Sequence, residues 1–333
     1  MNVRPSAPVI IAIVLLIVVV GGELMIMDSD HQKFSSDVSV DGDSINIMTD
    51  TNGSHVVNAV SMDDSYGSPK NVFIYFDRTY QSAYDDVRVA IGARPLTEEN
   101  YAKMMIETLN VRDVSCASLI DASKMKSVME MEGDGVAIVV LSGALPDTVY
   151  DGTSDSTILK WISSGGRLYW AGGIIGNYVS HLDSVEKIQN GVSLFFGSEC
   201  IDDTVTQSFD KYYANPLTES LSIINNNVRY SPRISELPDD QSFQVFGYTD
   251  GDRYSSFIGS YGSGCICIVG GDYSDYQRID LAQIIASGIS PSTKVKDTFE
   301  GDSPSTFELK KGETVYVYYG GDLTIYGKLH EVA

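Results

Sequence analysis

Positive charge is scarce in this sequence. Its 333 residues carry 23 Lys and Arg against 45 Asp and Glu, a formal net charge of −22. A surface this acidic repels phosphate backbones, so nucleic acid is excluded as a partner. Cysteine is scarce too, and four in a chain of this length are too few for a disulfide scaffold. The four histidines, His31, His55, His181 and His330, are scattered, with no H-E-x-x-H or paired spacing among them, so no metal centre is expected. No Walker-type phosphate loop and no G-x-S-x-G elbow occurs. The glycine-rich run at residues 259–264 precedes a strand, the reverse of a phosphate cradle, and reads as a hairpin turn. No cofactor is expected. What is present suffices for a core: 43% of the residues are hydrophobic, and the length allows one large domain with appendages or two modest ones.

The longest apolar stretch, residues 8–27, reads PVIIAIVLLIVVVGGELMIM with Glu23 as its single charge. At about 1.5 Å per residue it reaches across the roughly 30 Å hydrocarbon layer of a bilayer. The rival reading is a cleaved signal peptide, whose apolar region is shorter and ends in a small-residue cleavage site. Gly21-Gly22 before Glu23-Leu24 supplies no such pattern. Arg4 precedes the run, whereas Asp28, Asp30 and Asp37 follow it with Lys33 as the one nearby cation. The positive-inside rule then places the N-terminus in the cytoplasm. The expectation is a single-pass cell-membrane protein with residues 1–7 inside, residues 8–27 in the lipid bilayer and the globular part outside. Envelope or membrane-complex proteins are its candidate partners.

Residues 28–70 are polar and rich in Asp, Ser and Asn, a stalk with short alternating stretches at 44–48 and 55–62. Within it Asn52-Gly53-Ser54 is a formal N-glycosylation sequon. A main domain is expected over residues 71–289. It opens on VFIYF at 72–76, and VAIVVL at 136–141 is the most apolar strand. Further strands are expected at 114–120 and 168–171, alternating with helices at 97–109, 122–131 and 157–163. Strand–helix alternation with short connections is the pattern of a parallel sheet covered on both faces. Beyond Asp183 the pattern weakens. Residues 184–189 read as helical; strands at 243–248 and 254–258 read as a hairpin flanking the parallel sheet, and a strand at 265–269 precedes a helix at 277–286. Residues 290–304 form a linker. Residues 305–333 read as a small β-meander, which three strands alone would leave marginal, so it should lean on the main domain or on the strands near 44–62.

The stretch VAIVVLSGALPDTVYDG, followed by WISSGG, RLYWAGG and the later GSYGSGCICIVGGDY, resembles the class I glutamine amidotransferase-like superfamily over about two thirds of the chain. The resemblance implies a flavodoxin-like three-layer sandwich with a mostly parallel sheet. With the anchor and the tail, the expected fold class is α/β, preceded by one transmembrane helix and followed by a small β-appendage. In that superfamily a cysteine nucleophile sits on a strand-to-helix elbow, and here Ile174 occupies the matching position in Gly172-Gly173-Ile174-Ile175-Gly176. A His-x-Glu pair is absent, His330 and Glu331 being adjacent. Isoleucine can neither attack a carbonyl nor exchange a proton. The resemblance therefore implies a scaffold without its reaction, hence no enzyme.

Ligands of open α/β sheets bind beyond the carboxyl ends of the strands. Those ends carry Asp77, Arg78, Ser142, Gly143, Gly172, Gly173 and Asp272, the candidate ligand-binding residues. Asp77 and Asp272 can share a cation or polar ligand if their strands end side by side; otherwise they are caps and turn residues. Cys265 and Cys267, two apart on one strand, and Cys116 read as small buried hydrophobes. Cys200 is the one candidate for an exposed thiol. The function expected first is a membrane-anchored, non-catalytic interaction or ligand-sensing module. A hydrolase using carboxylates at the strand ends and a structural envelope component are the alternatives.

Overall fold

The computed structural model describes residues 36–41, 44–49, 56–83, 94–131, 133–202, 212–213, 221, 223, 230–239, 241–249, 253–270, 275–302, 305–308, 314–319 and 326–331. Strands β1 (Ser36–Asp41), β2 (Ser44–Thr49) and β3 (Val56–Asp63) come first, then β4 (Asn71–Tyr75) and helix α1 (Arg94–Val111). Next come β5 (Ala117–Ile120), α2 (Ala122–Met131), β6 (Val136–Val140), β7 (Leu145–Pro146), α3 (Thr157–Ser163) and β8 (Arg167–Trp170). Short elements β9 (Tyr178–Ser180), β10 (Val185–Lys187), α4 (Ser193–Phe196) and β11 (Tyr212–Tyr213) lead to β12 (Phe243–Thr249), β13 (Arg253–Tyr261) and β14 (Gly264–Val269). Helix α5 (Asp275–Ser287) is followed by β15 (Lys294–Asp302), β16 (Ser305–Glu308), β17 (Thr314–Tyr319) and β18 (Tyr326–Glu331).

The main sheet has eight strands in the order β11-β12-β13-β14-β8-β6-β4-β5. From β14 to β5 every pairing is parallel, and from β11 to β14 every pairing is antiparallel. Gly262-Ser263 turns β13 into β14, with Gly262 at φ 59°. Strand β6 shows why the centre holds. Its five residues are all buried, Ala137 and Val139 in one apolar cluster and Val136, Ile138 and Val140 in the other. A strand apolar on both faces must be covered on both. Helices α1 and α5 pack on one side, where Met105, Leu109, Leu281 and Ile285 meet the sheet. Helices α2 and α3 pack on the other through Met125, Val128, Ile158 and Trp161.

The outer β elements interleave the two ends of the described chain. Strand β3 lies between β15 and β17 in a four-stranded sheet, and β2 lies between β1 and β16 in a three-stranded one. The Tyr316 hydroxyl, fully buried, donates to Gln283 Oε1 at 3.0 Å, and Arg112 Nε donates to the same oxygen at 3.1 Å. One side chain of α5 thus ties β17 to α1.

This architecture corrects the expected fold class, a flavodoxin-like three-layer sandwich with a mostly parallel sheet between a transmembrane helix and a small β-appendage. A continuous antiparallel block makes the sheet mixed, because the hairpin of β12 and β13 extends it in-plane. The C-terminal strands lean, as expected, on the strands near 44–62, β16 on β2 and β17 on β3. But the β part is woven from both ends and is not a tail unit, and residues 294–302, expected within a linker, are strand β15. No helix among the described residues is long and apolar enough to cross a membrane. Residues 8–27, on which the anchor was read, lie outside the described residues. Residues 185–187 form strand β10 paired to β9, correcting the helix expected at 184–189.

Candidate functional site

Strand β4 has β5 on one side and β6 on the other, so the chain leaves β4 and β6 in opposite directions, and the carboxyl edge at this switch point is where open α/β sheets bind ligands. Three segments meet there. Residues 77–83 follow β4, residues 141–147 follow β6, and His181 directly follows β9, which pairs in parallel with β7. Main-chain bonds lace them together: Gln81 N donates to the His181 carbonyl at 2.9 Å, Ala83 N to Ser142 at 3.3 Å, and Asp147 N to Ser180 at 3.0 Å. The Ser82 hydroxyl donates to the Ser142 carbonyl at 2.7 Å, and the Ser180 hydroxyl to the Gln81 carbonyl.

This lacing brings Tyr80, Asp147 and His181 side by side. The Tyr80 hydroxyl donates to Asp147 Oδ1 at 3.0 Å, and the His181 Nδ1 lies 2.8 Å from Asp147 Oδ2. The other ring nitrogen, Nε2, is 3.7 Å from Glu186 Oε2 on β10. Side-chain exposure is 32% for His181 and 42% for Asp147, so the pair is open to water. Burial, then the bond to Asp147 and the charges of Asp147 and Asp77, push the Tyr80 phenol up, which keeps it a donor at neutral pH.

Those of the residues singled out from the sequence that are described, Asp77, Arg78, Ser142, Gly143, Gly172 and Gly173, gather at the same edge, where their polar atoms are used internally. Asp77 Oδ1 accepts from the Thr79 amide at 2.9 Å and hydroxyl at 2.6 Å, while Oδ2 accepts from the Ala122 amide at the start of α2 at 3.1 Å. Arg78 pairs with Glu99 on α1. Ser142 is buried, and its hydroxyl donates to the Ala144 carbonyl at 2.6 Å. Gly143 sits at φ 67°, and a Cβ on Gly172 would come within 2.8 Å of the Gly143 nitrogen and 3.0 Å of the Leu141 oxygen. These two glycines let the ends of β6 and β8 touch backbone to backbone. The Gly173 carbonyl accepts from Trp170 Nε1 at 2.5 Å. Asp272 and the sequon residue Asn52 lie outside the described residues.

Burial alone would raise the Asp77 carboxyl. The Thr79 hydroxyl and the Ala122 and Thr79 amides outweigh it and hold the group below its ordinary value. A carboxyl depressed in the folded state adds stability above its unfolded-state pKa, and that stability is lost as pH falls through the folded value. Urea unfolding of Asp77→Asn against the parent is therefore expected to show a deficit at pH 7 that shrinks on acidification towards pH ~2. A deficit that is constant across that range contradicts the assignment.

Cys200 corrects the expectation of an exposed thiol: it is fully buried in the cluster of Phe195, Phe196 and Ile201, and Cys116 is the half-buried one. All four cysteines are free. Burial pushes the Cys200 thiol up to about 11 and the Cys265 thiol up to about 12, so neither is a thiolate at neutral pH. Ile174 packs half-buried against the core. Among the described residues no group of three or more His, Cys, Asp or Glu is placed to hold a metal ion.

Sequence reasoning passed over the Tyr80–Asp147–His181 group. The sequence presents His181 only as one of four scattered histidines. Its partner is 34 positions away and the tyrosine 67 positions from that, so no spacing motif marks them. The one available signal was that Tyr80 and Asp147 each follow an apolar strand within a few residues.

No protein-family model and no curated protein matches the chain. Solved structures similar to it include Gan42B, a GH42 β-galactosidase, at 15% identity and a TM-score of 0.40, covering 79% of this chain and 39% of that one. A β-galactosidase from the Antarctic haloarchaeon Halorubrum lacusprofundi is similar at 11% identity and a TM-score of 0.39, covering 81% and 39%. The exo-β-1,4-mannosidase Op5Man5 from Opitutaceae bacterium strain TAV5 follows at 12% and 0.36, covering 67% and 36%. The chain spans well under half the length of these enzymes, and likenesses this distant assign it no activity. The family reading is corrected by the family-model comparison: no model matches, so the class I glutamine amidotransferase-like resemblance is not upheld, and the readings that rested on it, a non-catalytic module and no enzyme, lose their support.

Proposed function

We propose that the chain is a hydrolase acting by general acid–base catalysis at the carboxyl edge of its main sheet, with His181 as the proton-transfer group and Asp147 as its orienting partner. The observation that carries this reading is the 2.8 Å contact between Asp147 Oδ2 and His181 Nδ1 at the carboxyl edge beyond β4 and β6. A carboxylate only accepts hydrogen bonds, so in the neutral ring Nδ1 carries the proton toward Asp147, the nearer carboxylate, and Nε2, 3.7 Å from Glu186 Oε2, keeps its lone pair. The ring is one-third exposed, and water is the reactant at hand. Nε2 takes a proton from the attacking water, and the imidazolium so formed lies between the carboxylates of Asp147 and Glu186. It then returns the proton to the leaving group.

A panel of chromogenic nitrophenyl esters, glycosides and phosphates, assayed with the purified chain and with His181→Gln, tests the proposal. Turnover of at least one class is expected, falling by about 10²–10⁴-fold in the variant. A parent protein inert across the panel, or a variant as active as the parent, contradicts it.

A further inference from the structure

Asp147 has two oxygens and each has a different partner. Oδ2 holds the His181 ring, and Oδ1 accepts from the Tyr80 hydroxyl at 3.0 Å. Tyr80 comes from another part of the chain, on the segment after β4, and that segment is fixed independently of the phenol by Gln81 N to the His181 carbonyl and Ala83 N to the Ser142 carbonyl. Resting on the reading of His181 as the proton-transfer group, we propose that Tyr80 is a positioning residue: its hydroxyl fixes the Asp147 carboxylate and limits how strongly that carboxylate holds the imidazole.

The physics is a competition for one anionic charge. A donor at Oδ1 draws electron density from the carboxylate and weakens Oδ2 as an acceptor. Without the phenol, Asp147 binds a protonated ring more firmly and the ring keeps its proton to higher pH. The other groups facing the ring are Glu186 on β10, near Nε2, and the Ser184 carbonyl, which accepts from the His181 amide at 2.9 Å. Asp183 lies in the same turn. None of them touches Oδ1 among the described residues, so replacing Tyr80 changes the arm through Asp147 alone.

The experiment follows the His181 ring by NMR during a pH titration of the full chain, the resonance being assigned by its loss in His181→Gln. In Tyr80→Phe the titration midpoint is expected to rise by about half a pH unit, because only part of the charge-assisted bond at Oδ1 is felt at Oδ2. In an Asp147→Asn background the same replacement is expected to move the midpoint by much less. Tyr80→Phe keeps the ring and the main-chain bonds of its segment, and its folding is checked by near-UV circular dichroism. A midpoint that stays put or falls in Tyr80→Phe, or an equal rise with Asp147 replaced, overturns the proposal. The titration needs no substrate, so a chain that turns over nothing would defeat the hydrolase reading and leave the role of Tyr80 to be decided by the midpoints.

Discussion

Asp147→Asn is expected to lower turnover by about 10²–10⁴-fold with little change in unfolding free energy. The amide has the shape of the carboxylate but presents one acceptor and one donor. If its oxygen faces Nδ1, the ring keeps its tautomer and loses the charge that stabilises the imidazolium. If its NH₂ faces Nδ1, that nitrogen must accept, the proton moves to Nε2, and the base is gone. Either way the proton transfer suffers. Asp147 is 42% exposed in its side chain, so the fold loses little. Steady-state kinetics beside urea unfolding separate the two effects. A variant within a few-fold of the parent rate removes Asp147 from the chemistry, and a variant that loses activity and stability together makes it structural.

The largest stability effect is expected at Trp161. It is 2% exposed on α3, in the cluster with Ile138, Leu168 and Ile266 of the sheet. The chain closes on the indole so tightly that a Cβ on Gly166 would come within 2.4 Å of the ring. The next layer is as tight, since a Cβ on Gly264 would lie 2.1 Å from the Gly166 oxygen. Neighbours held this closely by backbone cannot collapse into the space an alanine leaves. Trp161→Ala is expected to cost about 3–5 kcal/mol, a large share of the roughly 5–15 kcal/mol that holds a domain together. Equilibrium urea unfolding measures it, and a cost below about 1 kcal/mol would mean that the site relaxes and the packing account is wrong.

The parts of the fold legible in the sequence are those whose residues answer to a local pattern. Residues 136–140 are apolar without interruption because the strand is covered on both faces, and that run is visible in any reading of the chain. Residues 122–131 show helical spacing because Met125, Val128 and Met129 face one cluster. Pairings between distant segments have no such signature. Nothing local to Val56–Asp63 says that it will lie between residues 294–302 and 314–319, since the register is settled by partners more than two hundred positions away. Residues 184–189 misled for the opposite reason: Val185 and Ile188 are spaced as on a helix, yet three residues pair with β9 and the Ile188 amide bonds to the Asn177 carbonyl. Cys200 sits among polar neighbours in sequence and under Phe195 and Phe196 in space.

The candidate site was legible in its place and not in its members. The rule that ligands meet the carboxyl ends of parallel strands points to the edge where Asp77, Ser142 and Gly172 lie, but those side chains and glycines hold the edge together. The Tyr80–Asp147–His181 group assembles on short strands and turns, from three segments whose contact depends on main-chain bonds. Such a group shows only once the chain is folded.

The claim on which the functional reading stands is that Asp147 fixes the proton of His181 on Nδ1. Nitrogen-15 NMR of the histidine rings over a pH series, with His181 identified by its loss in His181→Gln, measures this directly. The predicted result is that the neutral form of the His181 ring is the Nδ1–H tautomer, with an unprotonated Nε2 and an Nδ1 proton shifted downfield by its bond to Asp147. A His181 ring in the Nε2–H tautomer would contradict the account.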